Sequence, residues 1–518
     1  MQRLSKKCKC VKKYKEKKTE HTNGNGRERK RIMLELTADY RENIKRIDEV
    51  LRVKKSFDLI KKTLFIGTDE VTLYYIDGFV QSGAMQKLMI YFLSLKNLGE
   101  PTETGEDAAA TYFTQHHVPY VEAEVTADTR LMLQMLLSGT TLLIGETFGK
   151  YAIIIDSRTY PARSVGEPEN DRVMLGPRDG FVETLVFNTA LIRRRIRDTN
   201  LTMRYLNVGE ESKTDVVLCY LDGKADAKYV AYLEKKLRSI DTKSITLGHE
   251  SLAEALITQR WYNPFPKIRY TERPDAAAAQ ILEGSVILLC DNSPEAMILP
   301  STIFDFLQET NDFYFPPLTG TYIRFVRHLV FWSTLFMIPL WFLLVQNPEI
   351  VPAWLEFILP ESTGRIPIFA QLIIVEFMID GLRMASMNTP NMLSNSLSVV
   401  GGLILGEFAV SIGWLIPEVI VYMAFVTIAN FTQRSYELGY AFKFMRVGLL
   451  ILIRLLNFWG LAIGLIGIIL LLVSNKSVNG RHSYLYPLIP FNGRALLSLF
   501  VRLRKDRFSG KEQKGKEC

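Results

Sequence analysis

The chain has 518 residues, too many for one ordinary core, so two or three folding units are expected. Its 48% apolar and 23% charged residues are unevenly placed: the charge is concentrated before about residue 328, and Leu, Ile, Val, Phe and Gly dominate from there to Val473. The net charge of +8 is also a sum of unlike parts, with 13 Lys/Arg against 3 Glu in residues 1–31 and 10 against 3 acids in 474–518, around a net acidic middle. The five cysteines, Cys8, Cys10, Cys219, Cys290 and Cys518, have no zinc or disulfide spacing, which fits a reducing cytoplasm. The N-terminus lacks the apolar stretch of a signal peptide.

Residues 1–32 read as a basic disordered tail. A first cytoplasmic α/β subdomain is expected over 33–118. ELTADYRENIKRIDEVLRV reads as an amphipathic helix, then KTLFIG, TLYYIDGFV and LMIYFLSL as strand, strand and helix. Residues 100–118 read as a polar loop. A second α/β subdomain is expected over 119–315. TTLLIG and KYAIIIDSR read as a buried hairpin, VVLCYLDG and SVILLCDNSP as buried strands, and AKYVAYLEKKLRSI and DAAAAQILEG as helices beside them. The fold class is therefore α/β (α+β): a cytoplasmic N-terminal region of two subdomains, followed by an α-helical polytopic membrane domain.

The membrane domain is expected over 322–473, with spans at about 329–345, 393–413, 415–431 and 447–473. Segment 366–385 is long enough to cross but carries Glu376, Asp380 and Arg383. Residues 474–518 form a basic C-terminal tail. Arg324 and Arg327 precede the first span, which places the soluble region in the cytoplasm. Four spans put the C-terminal tail on that side too, but leave Arg434, Lys443 and Arg446 outside. Counting 366–385 as a fifth reverses both, and four are favoured because the tail carries more charge.

Glu376, Asp380 and Arg383 fall at i, i+4 and i+7, on one face of a helix otherwise apolar. Ionisable groups at membrane depth need a partner, a cavity or water, so this face reads as a candidate pore lining, as an amphipathic helix lying at the interface, or as an internal arrangement that packs the bundle. Gly402 and Gly406 in the second span, and Gly460, Gly464 and Gly467 in the fourth, form small-residue stripes suited to helix packing. Glu407 and Arg454 are further charges within the spans, each needing a partner. Arg193, Arg194, Arg195 and Arg197 follow the turn signals of GPRDG and read as a solvated face or a subunit interface rather than a phosphate site. No catalytic, cofactor-binding or metal constellation is visible, so enzyme chemistry is not expected and no cofactor is assigned.

Three stretches resemble the A-subunit family of bacterial spore germinant receptors: LGPRDGFVETLVFNTALIRRRIRD, VGEESKTDVVLCYLDGKAD and NPFPKIRYTERPDAAAAQILEGSVILLCDNSP. The likeness runs from about Leu59 to about Val473. Within the family, NTPNMLSNSLSVVGGLILGEFAVSIGWLIPEVI and LYPLIPFNGRALLSLFVRLRKDR resemble a branch distinct from the receptor subunits. Asn395-Ser396 and Glu407-Phe408 stand where receptor A subunits more usually have Gly-Gln and Gln-Ala. The resemblance implies a multi-pass protein of the spore inner membrane acting in germination. The function it implies is a homo-oligomeric ion channel that promotes or amplifies cation release. A non-conducting scaffold and the A subunit of a nutrient receptor are the alternatives. The implied partners are further copies of the chain and another small spore membrane protein. Anionic lipid is a possible partner of the basic tails, and no nucleic acid is expected.

Overall fold

The computed structural model describes residues 35–99, 105–119, 122–159, 176–257, 261–309, 311–361, 364–388, 407–433, 435–475, 478 and 484–501. The tail 1–32 and most of the expected span 393–413, including Gly402 and Gly406, lie outside these residues.

The charged helix at the start is α1 (Tyr40–Leu51). Asp39 begins it by accepting from the backbone N–H groups of Arg41 at 2.9 Å and Glu42 at 3.3 Å, which supplies two of the donors a helix start leaves open. The chain continues through β1 (Leu59–Ile66), β2 (Asp69–Ile76), α2 (Ser82–Ser94), α3 (Ala108–His117), β3 (Ala123–Thr126), α4 (Thr129–Leu137), β4 (Thr141–Gly145) and β5 (Ala152–Ile155). A second series follows: α5 (Leu185–Arg195), β6 (Leu201–Val208), β7 (Thr214–Leu221), α6 (Ala227–Arg238), α7 (His249–Leu256), β8 (Arg269–Thr271), α8 (Pro274–Glu283), β9 (Val286–Cys290) and β10 (Ala296–Leu299).

The two series have one plan. Their strand orders are β1-β2-β4-β5-β3 and β6-β7-β9-β10-β8, so the second sheet repeats the first with every strand moved on by five. Each pairing is antiparallel, and the helices fall at matching places between the strands. Both faces of each sheet are covered, which is why β4, β5, β9 and β10 read as unbroken apolar runs. On β7, Val216, Leu218 and Tyr220 enter one core while Val217, Cys219 and Leu221 enter the other.

Two expectations change here. The boundary between subdomains does not fall at 118/119, because β3, β4 and β5 complete the first sheet; the units are 35–159 and 176–307. Residues 108–117, read as loop, form α3, whose Ala110 and Phe113 bury against the first sheet.

Beyond the sheets the described chain is mainly helical: α9 (Pro317–Gln346), α10 (Ile368–Asn388), α11 (Pro417–Phe431), α12 (Tyr436–Leu456), α13 (Phe458–Ser474) and α14 (Gly493–Phe500). Among the described residues, α9 alone is long and apolar enough to cross a bilayer by length and composition. Its 30 residues rise about 45 Å. The apolar helices α11 and α13 are shorter, at 15 and 17 residues. The expected span 447–473 is not one helix. Asn457 takes φ 53°, ending α12, and α13 turns back along it. Gly460 and Gly464 make that return possible, since a Cβ on them would meet the Leu452 carbonyl oxygen at 2.0 Å and Leu449 Cδ2 at 2.4 Å.

Candidate functional site

Contacts along the helices fix their directions. Phe331 meets Phe442 with ring centroids 4.2 Å apart, the Thr334 carbonyl accepts from Arg446 Nη1 at 2.8 Å, and Asn347 meets Asn457. Helices α9 and α12 are therefore parallel and in step, both leading away from the sheets. The Asn347 and Asn457 amides are reciprocal partners at the far end: each donates Nδ2 to the other's Oδ1, at 2.7 and 2.8 Å. Helix α10 runs the opposite way beside α12, and this pairing sets the candidate site.

The three charges picked out on 366–385 all lie on α10. They do not meet one another. Each reaches a group on a neighbouring helix. Glu376 is 7% exposed and pairs with Arg446 on α12, itself 2% exposed. Asp380 pairs with Lys443 one turn earlier on α12, and Lys443 Nζ also donates to the Glu376 carbonyl at 3.3 Å. The Arg383 guanidinium stands over the rings of Phe431, Tyr436 and Tyr440 at 5.1, 5.4 and 5.4 Å. The result is a layer of two acids and three bases between α10, α11 and α12. Its energetic logic is mutual neutralisation, because an isolated charge in such a setting costs several kcal/mol.

Lys443 and Arg446 are the residues the sequence reading missed. The sequence reading puts those bases in the segment connecting the third and fourth spans. Instead they lie in the middle of a 21-residue helix. Their signal was present: bases at i and i+3 complement acids at i and i+4 on an antiparallel helix. At the far end of α10, Gln371 Nε2 donates to the Ile366 carbonyl at 2.7 Å, and its Oε1 accepts from Ile416 N–H at 2.9 Å. That amide ties the start of α10 to the start of α11.

The glycines divide. Gly460 and Gly464 sit against α12, whereas Gly467 faces open space. Gly402 and Gly406 lie outside the described residues. Arg454 is exposed in the last turn of α12, where a base suits the helix C-terminus, and Glu407 is exposed as well. Two of the four arginines in the run are paired within the sheet region. Arg193 is wholly buried and holds Asp58 through two nitrogens, at 2.7 and 3.0 Å, while Arg195 pairs with Asp179 at 2.5 Å.

The helical region is stitched to the second sheet unit and the segment after it. Asn263 Nδ2 donates to the Leu471 carbonyl at 3.2 Å, the Tyr232 hydroxyl to the Val478 carbonyl at 3.1 Å, and Ile303 N–H to the Tyr484 carbonyl at 3.0 Å. Residues 484–501 therefore lie at the sheet end of the bundle.

The sequence profile of the Bacillus/Clostridium GerA spore germination proteins matches residues 45–513. The chain belongs to this family. Stage V sporulation protein AF of Bacillus subtilis (strain 168) is 39% identical over 452 residues, covering 87% of this chain and 90% of that one. Spore germination protein KA of the same organism is 27% identical over 463 residues, covering 87% and 82%. The higher of these identities agrees with the branch read from 388–420 and 485–507. The crystal structure of the N-terminal domain of the A subunit of the Bacillus megaterium spore germinant receptor GerK3 shares 25% identity, with a TM-score of 0.38, and covers 51% of this chain and 95% of that chain. Membership in the GerA family gives the protein a role related to spore germination.

Proposed function

We propose that this GerA-family protein is a homo-oligomeric, ion-conducting component of the spore inner membrane, with its sheet domains in the cytoplasm, that promotes or amplifies cation release. The outer surface of the helices supports residence in a bilayer. Ile374, Phe377, Val421, Phe425, Ile463 and Ile466 are exposed along the middle of the bundle. Exposed Trp354, Trp414 and Trp459 ring the far end, and Tyr322, Tyr436 and Tyr262 the sheet end, as aromatic side chains do at the two faces of a membrane.

The layer of Glu376, Asp380, Lys443 and Arg446 carries the conduction reading. It puts acids and bases within an apolar bundle, next in sequence to the small-residue stretch 391–413. The proposed partners are further copies of the chain and another small spore membrane protein. The non-conducting scaffold is the second reading, and one observation favours it: each acid of the layer already has a base in the same chain. The A subunit of a nutrient receptor remains consistent with the family.

Ion flux through the purified full-length protein in liposomes separates these readings. The expected result is monovalent cation release in proportion to protein. Cross-linking before reconstitution should give a ladder of oligomers. A protein that inserts and oligomerises yet passes no ions is a scaffold.

A further inference from the structure

The stretch Tyr484–Val501 has two apolar sides, and only one is used. Inward, Tyr484 and Leu499 are buried among Phe331, Leu335, Phe442 and Ile303, and the rings of Phe500 and His328 lie 4.8 Å apart. Asn492 starts α14 by accepting from Ala495 N–H at 3.2 Å, and the Phe500–His328 contact sets the helix against the base of α9. Outward, Leu488, Ile489, Phe491 and Leu497 are exposed, Phe491 at 74%.

Three observations name what covers this outer side. Tyr322, Phe325 and Leu329 on the first turns of α9, the end of that helix against which Phe500 packs, are exposed as well. The segment's Phe500 ring packs on His328, next to Arg327 and one turn from Arg324, whose contacts with Asp312 mark where α9 becomes polar. The sequence running on from it, Arg502-Leu503-Arg504-Lys505-Asp506-Arg507, has four bases to one acid. An exposed apolar face followed in the sequence by a basic run matches an anionic lipid surface.

We propose that Tyr484–Val501 lies in the plane of the membrane on the sheet domains' side, with Leu488, Ile489, Phe491 and Leu497 in the boundary between headgroups and acyl chains of an anionic bilayer. This rests on the membrane residence proposed above. The segment then joins three things at one depth: the second sheet unit through Ile303, helices α9 and α12 through their aromatic rings, and the lipid surface.

Spin labels on the full-length protein test this, with Cys8, Cys10 and Cys518 changed to Ser and single sites F491C, L497C and I463C. Vesicles of phosphatidylglycerol with phosphatidylcholine are compared with phosphatidylcholine alone. In the anionic vesicles, labels at 491 and 497 should collide with oxygen more than with an aqueous nickel chelate, at a shallower depth than the label at 463. In phosphatidylcholine alone, nickel collisions at 491 and 497 should rise while those at 463 stay unchanged. Labels at 491 and 497 that are open to nickel in both vesicles overturn the proposal, as do labels shielded from both reagents, which would mean a protein partner covers the face. Equal depth in the two vesicles overturns the anionic preference. A label at 463 open to nickel instead overturns residence in the bilayer itself.

Discussion

Arg193 and Asp58 come from different sheet units, and the fully buried guanidinium also donates to Ser56 Oγ at 3.1 Å and to the Leu201 carbonyl at 3.1 Å. Nearby, Arg52 pairs with Asp222 and Phe57 N–H donates to the Met203 carbonyl at 3.1 Å, so the loop before β1 is bound to the edge of the second sheet. Arg193→Met leaves the Asp58 carboxylate buried without its base and should lower stability by about 3–5 kcal/mol, whereas Arg193→Met with Asp58→Leu should lose much less. Thermal unfolding of the full chain measures both; equal losses would contradict the pairing. Sequence placed Arg193 on a helix but not in a core, because the partner lies 135 positions away. His249 is a second such case. It lies 3.2 Å from Glu295 and 3.5 Å from Glu250, against the Tyr270 ring. Burial lowers its basicity, but Glu295, Glu250 and Glu437 outweigh that and raise its pKa above the ordinary value. A raised folded-state pKa gives stability that is fully present below about pH 6.5, the unfolded value, and is lost as pH climbs through the raised one. The unfolding midpoint of His249→Gln should therefore trail the parent most at acidic pH and approach it at alkaline pH. A gap that does not change with pH would falsify this assignment.

At the scale of elements, composition and periodicity located β1, β2, β4, β5, β7 and β9 as apolar runs between turn signals, and passed over β6 and the wholly buried β10. They did not reveal that the two sheets share one order, because strand order is set by long-range pairing that leaves little local trace. They also misread 447–473, whose continuous hydrophobicity hides a reversal made by one residue with positive φ and two glycines. The hairpin makes a graded forecast. Gly460→Ala must displace the backbone of α12 and should cost about 1–3 kcal/mol, Gly464→Ala meets a movable leucine side chain and should cost less, and Gly467→Ala should be nearly neutral. Thermal stability in detergent should follow that order, and a destabilised Gly467→Ala beside a normal Gly460→Ala would sink the hairpin packing.

For the whole molecule, the charged layer decides whether an effect on ion flow is separable from an effect on folding. Glu376→Gln alone strands Arg446 inside the bundle and should cost about 3–5 kcal/mol, so low flux from that variant has two explanations. The double variant E376Q/R446Q removes both charges and should recover most of the stability. Measured in liposomes at matched protein content, reduced flux from the double variant would mark the layer as part of the ion path; parental flux would make it packing alone. Three of the five charges in this layer, Glu376, Asp380 and Arg383, were legible beforehand. The acids stood out against an apolar helix, while their bases were hidden by a span assignment that began α12 too late.

The reversal at Asn457 also bears on how such a chain enters a bilayer. Both ends of the α12–α13 hairpin lie beside the sheets, and only its tip, Leu455–Trp459, reaches the far side. On the membrane residence proposed above, the hairpin would insert as one wedge whose leading end carries Asn457 and the nearby exposed Arg454, without moving a long hydrophilic loop through the lipid. That single amide finds the matching amide of Asn347 only at full depth. In that setting the residue that turns the chain would also act as its depth stop.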